Sequence, residues 1–517
     1  PTVTYTSAEA TGALKFTPVA DQYGSATITV MVEDGGLDND LSTSVDNAVV
    51  TETFEVVVAA VNDVPEIGVS NLGVVFANHW AQVGSSVPGE AAGDYSGSRV
   101  SISDDGKVIA IGAWANQDNG YKAGHARVFE NVGGEWIQLG SDIDGQSADA
   151  RTLVVSLSGD GRTLALGAIA GGHSAQGCVR IFRYVDESWV QVGFDILGEG
   201  RWDYFGTSLQ LSADGSRLVV GATGNDAGGG DSGHARIFAI TQDSWVQISD
   251  DLEGQAANDK NGQSVSVSGD GNVIAVGASQ HGFERPGYVN VYKYNDGAWA
   301  PFGDTLFGEA PHDYFGWSVS LDATGTMLAV AAAAADSDAT NVGKVYTFEF
   351  VEGAWQLFGS PIVGEPTGPN SSGLGTNVVS LNDDGNILAL GSRVNDANGE
   401  DAGYARIYRK SQDGWLPLGD DIYGAGIGDR AGTDLELSSD GTRVVIGSSH
   451  NNSNGLDSGH TRVFEIASVP GILTLEDADE QVLDLVGILA GGGETQALRV
   501  AATSSNAGVM PDPNVEY

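Results

Sequence analysis

Cysteine is almost missing from this chain of 517 residues: Cys178 stands alone, so no disulfide can form within it. Basic residues are scarce as well. Lys and Arg total 24 against 69 Asp and Glu, and a formal net charge of -45 repels nucleic acid and anionic membranes. Neither is an expected partner. The acid excess suits a salty medium or abundant divalent cations, and it favours solubility in any medium. No run of about 18 apolar residues is present to span a bilayer, so membrane insertion is not expected. Helical amphipathic patterning is hard to find anywhere. Catalytic signatures are equally thin: none of the eight histidines opens an HExxH pattern, and there is no P-loop and no strand-GxGxxG-helix unit. The expectation is that the chain is not an enzyme. It opens on Pro1 without Met or a signal peptide, and so reads as an excised or processed piece.

What the chain has in quantity is glycine, 74 residues of it, and a repeat. Segments such as SISDDGKVIAIGA from Ser101, SLQLSADGSRLVVGA from Ser208 and SVSVSGDGNVIAVGA from Ser264 read as two alternating strands joined at a tight turn. Asp-Gly at the tip predicts a type I′ hairpin, which needs positive φ at both central residues. The turn-initial residues are Asp105, Asp160, Asp214, Asp270, Thr324, Asp384 and Asp440, at spacings of 55, 54, 56, 54, 60 and 56. A third strand follows a variable loop, as GHARVF at Gly124, GHARIF at Gly233 and GHTRVF at Gly459. A fourth carries Trp80, Trp136, Trp189, Trp245, Trp299, Trp355 and Trp415. Four short strands in each of seven units predict an all-β chain built on a seven-bladed β-propeller across residues 68–467. No eighth Trp strand follows GHTRVF, whereas Trp80 precedes the first hairpin, so the phase predicts closure of the ring by a strand from the N-terminal side.

The residues that carry the repeat resemble FG-GAP propellers of the integrin α-subunit type. The likeness is clearest in DYFGTSLQLSADGSRLVVGATGNDAGGGDSGHARIF, with its Phe205-Gly206 pair and Gly221-Ala222 end, and DYFGWS at Asp313 repeats the first element. Calcium-binding members of that family alternate acids through the hairpin as DxDxDGxxD, an oxygen cage. Here the corresponding loop is QLSADGSRL, with Asp214 its one carboxylate, so no calcium is expected in these hairpins. A second acidic position recurs at Asp94, Asp203, Asp259, Asp313 and Asp429, broken by Ala150 and Pro369. It reads as a turn-holding carboxylate on backbone amides rather than a metal ligand.

The flanks lack both the Trp and the 55-residue unit. Residues 1–67, with GALKFTPVAD, GSATITVMVEDGG and VNDVP, resemble the C-terminal part of a cadherin-like tandem-repeat β-sandwich of the kind found in bacterial giant surface proteins. Residues 468–517, with GILTLEDADEQVLDLVGI, resemble the N-terminal part of the same Ig/cadherin-like domain type. Each flank reads as an incomplete half. The chain ends PNVEY and begins PTVTY, so it reads as one period of a longer polypeptide or fibre, joined either by covalent continuity or by strands of one molecule completing the sandwich of the next. The partners so implied are copies of itself or neighbouring repeats. The resemblance also implies calcium at the joints, on Asn62, Asp63, Glu476, Asp477 and Asp479, with Glu33 and Asp34 as weaker candidates. It implies an extracellular or cell-surface location and a structural, adhesive role; the other open role is lectin-like binding of a glycan or protein through loops on one propeller face. Trp114, Trp202, Tyr204 and Trp317 are the aromatic residues that such a face offers to a glycan, with packing the simpler reading of each. His125, His234 and His460 share one repeat position with Cys178, Tyr288, Lys344 and Tyr404, and so read as occupants of a tolerant strand-start position rather than as metal or catalytic groups.

Overall fold

The computed structural model describes residues 3–5, 11–16, 24–34, 49–59, 75–170, 175–279, 286–335, 342–364, 378–475, 481–486, 498–504 and 514–516. Among the described residues every regular element is a strand. Two units separate, Trp80–Ile466 and the pair of flanks Pro1–His79 with Ala467–Tyr517. The propeller unit thus begins twelve residues later than position 68, at the first Trp.

Trp80–Ile466 forms seven blades. The third shows the pattern: Phe205–Leu211, Arg217–Ala222, His234–Thr241 and Ser244–Gln247 run antiparallel from the innermost to the outermost strand, and the short Leu252–Glu253 pairs again with His234–Thr241. In the seventh, Val75–Gln82 pairs with His460–Leu475, and Val87 and Pro88 pair with Thr461 and His460. Trp80 is buried with Val444, Ile446 and Phe464, and its Nε1 donates to Leu418 O of the sixth blade at 2.8 Å. Trp136, Trp189 and Trp355 do the same to Val83, Leu139 and Phe302 of their preceding blades, so in these four blades the recurrent Trp is an inter-blade bolt, whereas Nε1 of Trp245 and of Trp299 is buried without a partner.

The hairpins differ from the expected type. Gly106 N donates to Ser103 O, which makes Asp104 and Asp105 the central residues of the turn, and Gly106 alone takes positive φ, at 68°. The same holds in the third blade, where Gly215 N bonds Ser212 O and Gly215 sits at 66°. This is a type I turn followed by a left-handed glycine, not type I′: Asp-Gly serves both geometries, and the loop is longer than two residues. The Asp carboxylate is consumed locally. Asp214 Oδ1 accepts from Ser212 Oγ at 2.6 Å and Ser216 N at 2.9 Å, and although partial burial opposes it, these bonds hold its pKa below the usual carboxylate range.

Two closed rings join the blades. At the hairpin tips, backbone N–H groups of Asp104, Gly159, Ala213, Gly269, Ala323, Asp383 and Ser439 each donate to the carbonyl of the next residue in that series, and Ser439 donates back to Asp104. One step inward, side chains of the innermost strands accept from the neighbouring blade. Ser101, Ser156, Gln210, Ser266, Ser320, Ser380 and Glu436 take the N–H of Leu157, Leu211, Val267, Leu321, Leu381, Leu437 and Ile102, at 2.8–3.1 Å. Each lateral bond satisfies an innermost-strand N–H that has no further strand to pair with.

The Phe-Gly and Gly-Ala motifs have a steric cause. A Cβ on Gly221 would lie 2.0 Å from Gly262 O, one on Gly447 the same distance from Gly97 O, and one on Gly277 2.2 Å from Gly316 O. The second glycine of each pair has φ between 81° and 86°. Blades touch backbone to backbone there, which admits no side chain.

In the flank unit, pairing runs from one flank to the other. Val3–Tyr5 pairs with Leu498–Ser504, Gly24–Asp34 with the same strand, Thr11–Phe16 with both Gln481–Val486 and Asn514–Glu516, and Val49–Ala59 runs parallel to Gly471–Leu475. Among the described residues only Gly24–Asp34 with Val49–Ala59 lies within one flank, where Ala26, Ile28, Val30, Phe54 and Val56 are buried. The two routes expected from sequence both joined separate repeats; here the halves meet in one chain.

Gly221→Ala is expected to destabilise the propeller by about 2 kcal/mol or more, because the new methyl meets backbone that cannot rotate away. Thermal unfolding of the variant checks this; a melting point equal to that of the parent chain would contradict the packing described.

Candidate functional site

The innermost strands enclose an axial channel of about 320 Å³ with unlike mouths. At the hairpin mouth stand Asp104, Asp322 and Asp383. Burial, then the neighbouring carboxylate of Asp383, raises the pKa of Asp104; burial likewise raises that of Asp383 despite the hydrogen bond from Ser439. Arg99, Thr207, Gln263, Trp317, Arg393 and Thr433 line the opposite mouth.

That second mouth is built by a bulge at the start of each innermost strand. Register shifts occur between Ser96 and Arg99, Thr152 and Val154, Phe205 and Ser208, Asn261 and Ser264, Phe315 and Ser318, and Ala431 and Asp434. The residue just before each such strand is forced to positive φ: Tyr95, Arg151, Tyr204, Lys260, Tyr314 and Arg430 lie between 51° and 58°. Bulges re-aim side chains. Among the described residues the result is a circle in which tyrosine alternates with a basic residue. In a chain with 24 basic residues, Arg99, Arg393 and Arg430 lie close enough that burial, then Arg430 and Arg99, all depress the pKa of Arg393. Arg393 Nε is buried without a partner. Arg430 bonds His450 Nε2 at 3.2 Å and Asp401 at 3.4 Å, and Tyr95 stacks on Trp114 at 5.2 Å between centroids. Trp202 is 50% exposed beside Tyr204. Flat aromatic faces with guanidinium groups between them suit a sugar bearing an acidic substituent.

Of the aromatic residues named from sequence, Trp114, Trp202, Tyr204 and Trp317 all reach this face. Tyr95, Tyr314 and the arginines escaped notice, although a signal existed: each ring residue directly follows the recurrent acidic position, at Asp94, Asp203, Asp259, Asp313 and Asp429, or its substitute Ala150. The acids themselves hold the turn. Asp94, Asp203, Asp259 and Asp313 accept from Ala91, Gly200, Ala256 and Ala310 N at 2.7–2.9 Å, and Asp429 accepts from Asn451 Nδ2 at 3.0 Å. Asn62, Asp63, Glu476, Asp477 and Asp479 lie outside the described residues; Glu33 and Asp34 end the strand Gly24–Asp34. His125, His234 and His460 each begin a third strand and are buried.

Between the mouths, Glu436 is the one acid in the side-chain ring. Burial pushes its pKa up to about 7, against hydrogen bonds from Ser101 and Ile102 and with help from Asp434 and Asp104. The folded chain therefore holds this proton more tightly than the unfolded chain does. Its stabilising contribution is complete near pH 4 and is lost as the pH rises through 7. Glu436→Gln, neutral at every pH and still able to accept from Ile102, is expected to raise stability over the parent by roughly 1–3 kcal/mol at pH 8 and to change it little at pH 5. Thermal unfolding at the two pH values checks this; an equal effect at both would contradict it.

The FG-GAP repeat model matches residues 86–129 and 308–348. No curated protein matches the chain. Among solved structures, Kuenenia stuttgartiensis hydrazine synthase is similar at 12% identity and a TM-score of 0.46, over 75% of this chain and 98% of that one. With seven blades, Gly-Gly contacts at five of their junctions and two segments matching the repeat model, the chain carries FG-GAP repeats arranged as a seven-bladed β-propeller, a fold that fits a repeat or binding role.

Proposed function

We propose that this chain is a structural and adhesive repeat unit of an extracellular bacterial fibre or giant surface protein, with propeller beads joined by β-sandwich connectors, and that it is not an enzyme. The observation that carries this reading is the flank pairing. Five of its six strand pairs join residues 1–59 to residues 471–516, so neither flank builds the sheets alone. Reading Gly471–Leu475, Gln481–Val486, Leu498–Ser504, Asn514–Glu516, then Thr11–Phe16, Gly24–Asp34 and Val49–Ala59 as successive strands, with Val3–Tyr5 as an added edge strand on Leu498–Ser504, supports an Ig-like sandwich. The domain starts in the C-terminal flank and ends in the N-terminal one. Pairs that close within one chain also close between successive copies, by strand exchange or continuity. Within the bead, the strand Val75–Gln82 is read as the clasp that closes the ring, supported by the bond from Trp80 to Leu418. Calcium on Asn62, Asp63, Glu476, Asp477 and Asp479 belongs to the same proposal and rests on their residue types alone.

The lectin-like reading has its own support in the aromatic and basic mouth, and adhesion is the use it would serve. Its ligand class is an acidic glycan. Binding of an acidic polysaccharide by the propeller, lost in R99Q/R393Q at unchanged melting temperature, is the expected result; equal binding by the variant would overturn it.

Val3 faces Val500 across the flank pairing. In a V3C/V500C variant carrying C178S, oxidation is expected to give a ladder of covalent multimers on non-reducing gels at high protein concentration. A single intrachain-bridged monomer at every concentration would refute exchange between copies.

A further inference from the structure

Two of the three histidines at the third-strand start sit in clusters with the same construction. His125 is 1% exposed in its side chain and His234 is 0% exposed, and neither ring nitrogen of either has a hydrogen-bond partner. Each imidazole turns Nδ1 toward carboxylates. His125 Nδ1 lies 3.7 Å from Glu90 Oε2, and one atom each from Glu90, Asp118, His125 and Asp142 fall within 4.8 Å of one another. His234 Nδ1 lies 3.6 Å from Asp251 Oδ2 and 4.0 Å from Glu253 Oε1, and Glu199, His234 and Asp251 form the equivalent group. These separations are too long for hydrogen bonds.

Repetition makes the grouping specific. In both blades the Glu precedes the His by 35 residues and the Asp follows it by 17. His460 provides the contrast: Ala425 and Ser86 occupy the places of the Glu and the Asp, and among the described residues no carboxylate group gathers around it. An arginine two residues beyond each paired His takes the outer oxygen of one acid. Arg127 Nη1 lies 3.5 Å from Glu90 Oε1 and Arg236 Nε 3.7 Å from Asp251 Oδ1, which leaves the inner oxygen facing the imidazole. Carboxylates steered in this way resemble the supported ligands of metal centres.

We propose that these are two divalent transition-metal sites of the zinc class, one on Glu90, Asp118, His125 and Asp142 and one on Glu199, His234 and Asp251. Ligand atoms around a tetrahedral zinc with bonds of 2.0–2.1 Å stand about 3.4 Å apart, so separations of up to 4.8 Å need to contract by up to about 1.4 Å. Glu90 and Glu199 reach in from the surface and are free to make that movement. A neutral imidazole nitrogen beside carboxylates selects zinc over calcium, which takes six to eight oxygens. The metal would tie the segment before each blade to its third strand and to the segment after its outermost strand, bracing the rim of the ring.

The test is zinc titration of the full chain after chelator treatment, by calorimetry, in physiological salt with excess calcium and magnesium. Two equivalents are expected, with H125N and H234N each removing one and H460N removing none. If the buried substitutions impair folding, E90Q and E199Q act on exposed side chains, and each is expected to weaken its own site about tenfold or more. A stoichiometry unchanged in H125N/H234N and in E90Q/E199Q, displacement of zinc by calcium, or no saturable binding would overturn the proposal.

Discussion

Everything in this molecule depends on one constraint: an innermost strand has a neighbour on one side only, and its outward-facing N–H groups must still be satisfied. The closed series from Asp104 through Ser439 and back solves this with backbone alone, and the side-chain series from Ser101 to Glu436 solves it again with short polar residues. Five of the seven acceptors are serines, and Gln210 and Glu436 are the longer exceptions. An apolar residue at any of these places would leave a buried donor unpaired, at a cost of about 1–3 kcal/mol. The repeated Ser of the alternating strands is therefore structural.

Backbone contact between blades follows from the same economy of space. Where Gly221 meets Gly262 and Gly447 meets Gly97, adjacent sheets approach too closely for any side chain, and the bulge that brings the second glycine there also throws the preceding residue into positive φ. The tyrosines and basic residues around the mouth are thus displayed by a device whose first purpose is packing. A binding face can then vary in residue type while the blade beneath it stays the same.

Blade number, strand order and the Trp positions were legible because each is marked by local sequence, an Asp-Gly turn or a Trp at fixed spacing. The turn type was not, since Asp-Gly occupies the last two positions of a type I turn with bulge as readily as the centre of type I′. The mouth was half legible: Trp202 and Trp317 stand out in the sequence, whereas Tyr95, Lys260 and Arg430 share a place and not a residue type. The histidine clusters were hidden for another reason. Their acids lie on separate segments, distant in sequence, and His460, which has no such neighbours, made the whole position look tolerant. For the flanks, the pairing of one with the other in a single chain was not legible, because such pairing carries no record of whether the strands belong to the same molecule.

The seven junctions of the ring are not alike. Six are made by side chains and amides 55 to 61 residues apart and held by neutral acceptors; the seventh joins residues 334 apart, with Asp434 accepting from Val100 and Glu436 from Ile102. Bringing together such distant segments costs roughly 1.6 kcal/mol more loop-closure entropy than a junction between successive blades. Carboxylate acceptors make hydrogen bonds about twice as strong as neutral ones. The junction that joins the two ends of the blade series is also the one whose hold on the chain varies with the proton concentration outside.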